Sequence, residues 1–298
     1  MEGANTWILF ALLFGLSMAV VNILDKLVLD RWARRPIVPV LLVGVFNVFP
    51  AAVILLIQGV PPLSLGPALL VLAAGAALLS MTLFYFSAAA REEISRVVPL
   101  MFLSPLFVAV LAGIFLGEVF SLIKYAGVAA LIGGASLISI RFPYRFGPGR
   151  AFWYMILAAF SISVYFTIMK YLLRIWDYWR VFGLTRIAMT GLMIPLFLLY
   201  FVDLRETLRD YGGRVVGIMA LDQNIALAAN LFLTVAAAAG PITLVNALAS
   251  TQPFFVLLFT VLLSRFIPRL LWEERQGSTV VQKLAAICLM FAGALLIT

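Results

Sequence analysis

Asp222 makes the sharpest chemical demand in the sequence, because it stands inside the apolar stretch Val215 to Ala239. In a helix that crosses a bilayer, a central carboxylate costs about 2.5 to 3.5 kcal/mol on insertion scales, so it must pair, take up a proton or face water. At ~1.5 Å of rise per residue it lies roughly 10 to 12 Å inside that stretch, near the depth of Gln252 counted from the opposite side. Gln223, Asn230 and Thr234 recur at i, i+7 and i+11, which puts them on one helical face with Leu227 and beside Asp222. Such a polar stripe either lines a cavity or bonds to neighbouring helices. For Asp222 the two readings are substrate binding or ion coupling on one side, and a structural ion pair with a neighbour such as Arg186 on the other.

Asn47, Ser104, Ser163, Ser250, Thr251 and Gln252 fall at similar depth in other apolar stretches. Pro105 and Pro253 each remove a helix hydrogen bond beside several of them and expose a backbone carbonyl. Here backbone and side chains together would meet a ligand's polar groups, with plain packing as the competing role for each residue. Glu118 closes its stretch, as a titratable gate or as the fixture of a helix end. Tyr85, Tyr165, Trp153 and Trp179 either frame a cavity mouth or anchor the chain at the interfaces.

Other chemistries have little to work with. The chain contains no histidine, the commonest general base and metal ligand. Its single cysteine, Cys288, lies in an apolar stretch and forms no intrachain disulfide. Asp25 and Asp30 stand five apart beside Lys26, not at the Asp-x-x-Asp spacing that chelates a magnesium diphosphate. No Gly-x-x-x-x-Gly-Lys phosphate cradle is present, so ATP is not the energy source. No metal, cofactor or enzymatic reaction is expected, and the basic residues do not interleave with aromatics as a nucleic-acid surface would.

Of the 298 residues, 64% are hydrophobic and 11% charged, with mean hydropathy +1.13. A soluble domain averages about half apolar and a quarter charged. Several apolar stretches exceed the ~20 residues that cross a bilayer, and they are too continuous for barrel strands. About ten spans are predicted: Thr6 to Leu24, Ile37 to Ile57, Pro67 to Ala88, Ile94 to Phe115, Leu122 to Ile140, Ala151 to Leu173, Val181 to Val202, Val215 to Ala239, Ile242 to Phe266 and Thr279 to Thr298. The first lacks a basic leader and a small-x-small cleavage site, and reads as a retained helix. The net charge of +8 resides in the connections, and nearly all of the cations fall in the odd-numbered ones. By the positive-inside rule those loops are cytoplasmic and both termini lie on the outer face.

The two halves resemble each other. Ile94-Ser95-Arg96-Val97 aligns with Ile242-Thr243-Leu244-Val245 and carries Pro105 onto Pro253 without a gap; Phe84 falls on Phe232, Ser17 and Lys26 on Ser161 and Lys170, and Gly44 and Asn47 on Gly183 and Arg186. An odd number of helices per half turns the second half upside down relative to the first, a pattern found in transporters. Residues 1–143 and 144–298 are then two inverted five-helix repeats around a central cavity, in an all-α membrane protein.

The block Pro99 to Ile140, above all Pro105, Gly117-Glu118, Gly127 and Gly133-Gly134, with its echo around Pro253 and Gly293, resembles the EamA-type exporters of the drug/metabolite transporter superfamily. The resemblance implies a ten-helix basket and efflux or exchange of amino acids, sugars, nucleotide-linked compounds or drugs. Two departures stand out: Gly117-Glu118 has no counterpart near Arg265-Phe266, and the charge bias opposes the family's usual orientation. The expectation is a multi-pass protein of a bacterial inner membrane, a monomer or weak homodimer. It would carry a small polar or amphipathic metabolite by alternating access, with protons as a possible coupling ion. The rival readings are an intramembrane lipid-processing enzyme and a non-transporting receptor or assembly factor.

Overall fold

The computed structural model describes residues 6–32, 35–91, 100–101, 103–117, 121–139 and 150–249, together with isolated positions between 251 and 296. Every element among them is a helix: α1 (Thr6–Arg31), α2 (Ile37–Gln58), α3 (Leu65–Ala89), α4 (Ser104–Leu116), α5 (Leu122–Ser139), α6 (Arg150–Leu172), α7 (Tyr178–Leu199), α8 (Phe201–Ala239) and α9 (Ile242–Ala249). Six of these, α1, α2, α3, α6, α7 and α8, are long and apolar enough to cross a bilayer. The expected fourth, ninth and tenth spans are described only in part, the tenth at isolated helical positions between 282 and 296, and Glu118 and Pro253 lie outside the described residues.

Local sequence explains several boundaries. Asp177 caps α7, its Oδ1 accepting from the backbone N–H of Trp179 at 3.0 Å and of Arg180 at 3.1 Å. Proline stands in the first turn of α4, where its missing N–H costs nothing, and the helix stops at Gly117 in the left-handed conformation, φ 69°. The eighth element departs from expectation, since helix begins at Phe201 rather than Val215 and breaks at Gly212, φ 52° and ψ −142°. The charged stretch after Val202, expected to be a loop, is an amphipathic helix. Leu204 is buried, and Leu208 and Tyr211 pack against the core from the same face, while Arg205, Glu206, Arg209 and Asp210 are exposed. The first helix also runs on to Arg31, so Asp25 sits within it and not in a connection.

The packing is reciprocal between the halves. α1 lies along α8 and α3 along α6; α3 also meets α7 as α8 meets α2; α2 packs on α7 and α4 on α9. Close contacts need small residues. A Cβ added to Gly75 of α3 would come 2.7 Å from the backbone nitrogen of Met189 in α7, and one on Gly183 of α7 would come 2.8 Å from Cγ of Leu55 in α2. Outward faces carry Phe49, Leu56, Ile114, Leu122, Leu198 and Leu199, all well exposed, as a lipid-bounded surface requires.

The connections sort to two ends. Arg35 of the first connection pairs with Asp203 before the eighth span, and Arg91 after α3 lies over the ring of Tyr154 near the start of α6. At the other end Arg180 donates from Nη2 to the Gln58 carbonyl at 2.7 Å, Arg174 to the Leu116 carbonyl at 3.0 Å, and Lys170 to the carbonyls of Ala237 and Gly240. Odd connections meet odd and even meet even, as spans that alternate in direction dictate.

Gly75→Ala is expected to force α3 and α7 apart and to lower thermal stability in detergent by about 1 to 3 kcal/mol. Gly191→Ala in α7, where an added Cβ meets nothing within 4 Å, should leave the unfolding temperature within a degree or two of the parent, about 0.5 kcal/mol. Equal behaviour of the two variants would contradict the close approach.

Candidate functional site

A cavity of about 210 Å³ opens between the halves. Its polar wall comprises Asn22 and Asp25 of α1, Asn47 of α2, Thr82 and Tyr85 of α3, Ser104 of α4, Arg186 of α7, Gln223 and Asn230 of α8, Asn246 of α9, and Gln252. Phe14, Met18, Leu78, Phe86, Ile162, Phe166 and Met189 supply much of the apolar remainder. Asn47, Arg186, Gln223 and Asn230 lie in the interior turns of their helices, whereas Ser104 opens α4.

Hydrogen bonds organise the wall into two linked groups. Asn47 donates from Nδ2 to the Val43 carbonyl at 2.6 Å and, at 3.4 Å, to Oε1 of Gln223. The amide of Gln223 in turn donates to Oδ2 of Asp222 at 2.8 Å. Asp222 is fully buried and is not among the cavity-lining residues, and its Oδ1 has no hydrogen-bond partner. In the second group Asn246 donates to Oγ of Ser104 at 3.0 Å, and the single hydroxyl hydrogen of Ser163 is shared between the Ala159 carbonyl at 2.6 Å and the Ser104 carbonyl at 3.1 Å. Each group crosses between the halves.

The expected residues therefore separate by position. Asn47, Ser104, Gln223, Asn230 and Gln252 line the cavity. Thr234, Ser163 and Thr251 do not: Thr234 donates to the Asn230 carbonyl at 2.8 Å, Ser163 to the Ala159 carbonyl at 2.6 Å, and Thr251 to the Leu248 carbonyl at 2.8 Å. Pro105 lies in the first turn of α4, where it interrupts no hydrogen bond of that helix. The ion pair considered between Arg186 and Asp222 does not form. Arg186 instead lies over the rings of Phe182 at 5.3 Å and Tyr165 at 5.9 Å, with Nε and Nη2 buried and unbonded. Of the aromatics, Tyr85 lines the cavity, while Trp153 is 58% exposed on the outer surface.

Sequence reasoning passed over Asn22, Thr82 and Asn246, weighed Asp25 only against a metal-chelating spacing, and offered Tyr85 only as a frame of the cavity mouth or an interface anchor. Asp25 was placed at a helix end beside Lys26, yet it is 7% exposed and accepts from the Tyr85 hydroxyl at 3.3 Å. A signal was available. Carried across the repeat, Asn47 pairs with Arg186, Ser104 with Gln252, and Thr82, by the shift that takes Phe84 to Phe232, with Asn230. All six line the cavity. The same shifts pair Met18 with Ile162, Asn22 with Phe166, Leu78 with Ala226 and Met101 with Ala249, again all at the wall.

Residues 5–140 match the EamA-like transporter family. The chain carries an EamA-like unit of the drug/metabolite transporter superfamily. With six described helices long and apolar enough to cross a bilayer, it suits an integral, multi-pass membrane protein. A crystal structure described only as that of a protein shares its fold, at TM-score 0.70 and 18% identity over 100% of this chain and 97% of that one. No curated protein matches the chain. The EamA-like unit supplies Asn22, Asp25, Asn47, Thr82, Tyr85 and Ser104 to the wall, and the remaining polar groups come from beyond residue 140.

In a Cys288→Ser background, Asn246→Cys and Asn22→Cys should react with a small water-soluble thiol reagent, whereas Thr234→Cys, fully buried behind Asn230, should not. Uniform reactivity, or protection of all three, would contradict the cavity as drawn.

Proposed function

We propose that the chain is a secondary carrier that moves a small polar or amphipathic metabolite, an amino acid or related compound, across a bacterial inner membrane by alternating access, in export or exchange. One observation carries the reading: seven pairs of positions related by the internal repeat line one cavity at mid-depth, so neither half owns the site. The architecture that goes with it is ten helices in two inverted five-helix repeats, residues 1–143 and 144–298. The reciprocal packing of α1 on α8 and α3 on α6 supports this arrangement. Two similar halves that exchange conformations convert a chamber open to one side into a chamber open to the other.

In this reading Asn47, Ser104, Gln223, Asn230 and Gln252 meet the cargo. Asp222, Ser163, Thr234 and Thr251 stand behind them and fix their orientation; Asp222 does so by accepting from the Gln223 amide, which leaves the Gln223 carbonyl toward Asn47. Asp222 and the cavity-facing Asp25 are the candidate sites for proton coupling, with uncoupled exchange as the alternative mode. Bias of cations to the odd connections favours both termini on the outer face, and the protein works as a monomer or weak homodimer. Flux through such a device involves no bond making, so no enzymatic role is assigned.

Reconstituted in proteoliposomes, Asp222→Asn and Gln252→Ala are expected to cut uptake of a labelled substrate at least several-fold while the unfolding temperature stays near that of the parent. Wild-type flux from both variants would remove the proposed site. Cysteines introduced at the wall should also label from one side at a time; simultaneous labelling from both would argue for a receptor or a channel instead.

A further inference from the structure

The cavity wall contains a cation that no described residue neutralises. Arg186 is 5% exposed, yet no carboxylate lies within 4.0 Å of it among the described residues, and its Nε and Nη2 bond to nothing. Its contacts are the ring faces of Phe182 and Tyr165. Ring faces stabilise the charge but cannot accept the in-plane N–H bonds, so the edge of the guanidinium is left wanting an acceptor. A buried cation without a paired anion is among the costliest features a membrane protein can keep, and one retained at a cavity wall marks a ligand's opposite charge.

The repeat sharpens the argument. The first-half position equivalent to Arg186 is Asn47, which is neutral and already bonded to Val43 and Gln223. Half the chamber thus meets its needs with an amide, and the other half breaks the symmetry with a charge. Asp25, the acid on the same wall, is engaged by Tyr85 rather than by Arg186.

We infer that Arg186 is the oxyanion-recognising group of the chamber and that the cargo carries a carboxylate or phosphate on a largely apolar body. The fork of a guanidinium matches both groups with two parallel hydrogen bonds, and the lining of Phe14, Met18, Phe86 and Phe166 suits the apolar remainder. The inference rests on reading the cavity as a substrate chamber.

The test uses binding, so that it can fail separately from transport. Purified protein in detergent is titrated with phenylacetate, 4-methylvalerate and phenyl phosphate, and with phenylacetamide and 4-methylvaleramide as uncharged counterparts, following thermal stability and tryptophan fluorescence. At least one anion should raise the unfolding temperature and saturate, while its amide does neither. The preferred anion identifies carboxylate or phosphate as the group read. Arg186→Gln should bind that anion about 10- to 100-fold more weakly, and Arg186→Lys should fall in between. Without ligand, Arg186→Gln should be as stable as the parent or more so, because an unpaired buried charge has gone; a merely structural arginine would lower stability instead. Anion binding unchanged in both variants, amides that bind as well as acids, or a parent protein indifferent to all three anions would each overturn the inference. Anion binding that depends on Arg186 without flux in liposomes would leave it standing and remove the carrier reading.

Discussion

Lipid offers no hydrogen-bond partner, so every polar group carried to mid-depth has to be answered inside the bundle or by whatever enters it. Much of this chain's polar inventory is answered locally. Thr82, Thr167, Thr185, Asn230 and Thr234 each return a side-chain hydrogen bond to the carbonyl four residues earlier or, for Asn230, four earlier from its amide. That habit discharges donors without a neighbour and lets such residues sit in apolar helices at little cost. Other described polar groups reach further: the Asn47–Gln223–Asp222 chain, the Asn246–Ser104–Ser163 group, the Asp25–Tyr85 contact and the guanidinium of Arg186. These groups reach between helices or stay unbonded, and Asn47, Gln223, Asn246, Ser104, Asp25, Tyr85 and Arg186 among them share one cavity wall.

Convergence follows from the reciprocal packing. When α1 runs along α8 and α3 along α6, the inner faces of both halves are turned to a shared axis, and positions related by the repeat are forced into the same wall. Close approach of α3 to α7 at Gly75 and of α7 to α2 at Gly183 holds that geometry from the inside, because small residues are the means by which helices associate without a hydrophobic drive. Departures from the pseudo-symmetry then acquire meaning. Thr82 against Asn230 and Ser104 against Gln252 exchange one uncharged polar group for another, whereas Asn47 against Arg186 and Asn22 against Phe166 change the character of the wall.

Much of the architecture was legible in the sequence, because a lipid-crossing helix announces itself by length and apolarity. The expected second, third, fifth, sixth and seventh stretches agree with α2, α3, α5, α6 and α7 to within about three residues at each boundary. Charge misled where it stood for a loop. The stretch from Asp203 to Tyr211 holds its leucines and tyrosine on one face, so it lies helical at the surface, and the charged cluster at the end of α1 hid the fact that Asp25 turns inward while the helix continues to Arg31. The polar stripe on α8 was found by period alone, but period does not tell a wall residue from its support. Gln223 and Asn230 line the cavity, Asp222 and Thr234 do not, and only the packing of α8 against its neighbours makes the difference.

Among the described residues the two ends of the bundle are held by unequal bonds, and for a carrier of the proposed kind this inequality has a consequence. At the even-numbered end, Arg174 and Arg180 of the second half donate to carbonyls of Leu116, Gln58 and Gly59 in the first, where the negative poles of α4 and α2 favour a cation. Lys170 closes the end of α8 in the same manner. Hydrogen bonds of this charged kind contribute about 1.5 to 3 kcal/mol each where they are shielded from water, as at the part-buried Arg174 and Lys170, and less at the exposed Arg180. At the odd-numbered end the described links between halves are the Arg35–Asp203 pair, whose arginine is 66% exposed, and the Arg91–Tyr154 contact, and exposed pairs of that sort contribute about 0 to 1 kcal/mol. Among the described links, separation of the halves at the odd end breaks weaker bonds than separation at the even end. A rocking motion of the proposed carrier would have to recover, from cargo or coupling ion bound at the chamber, most of what is lost when the even end opens.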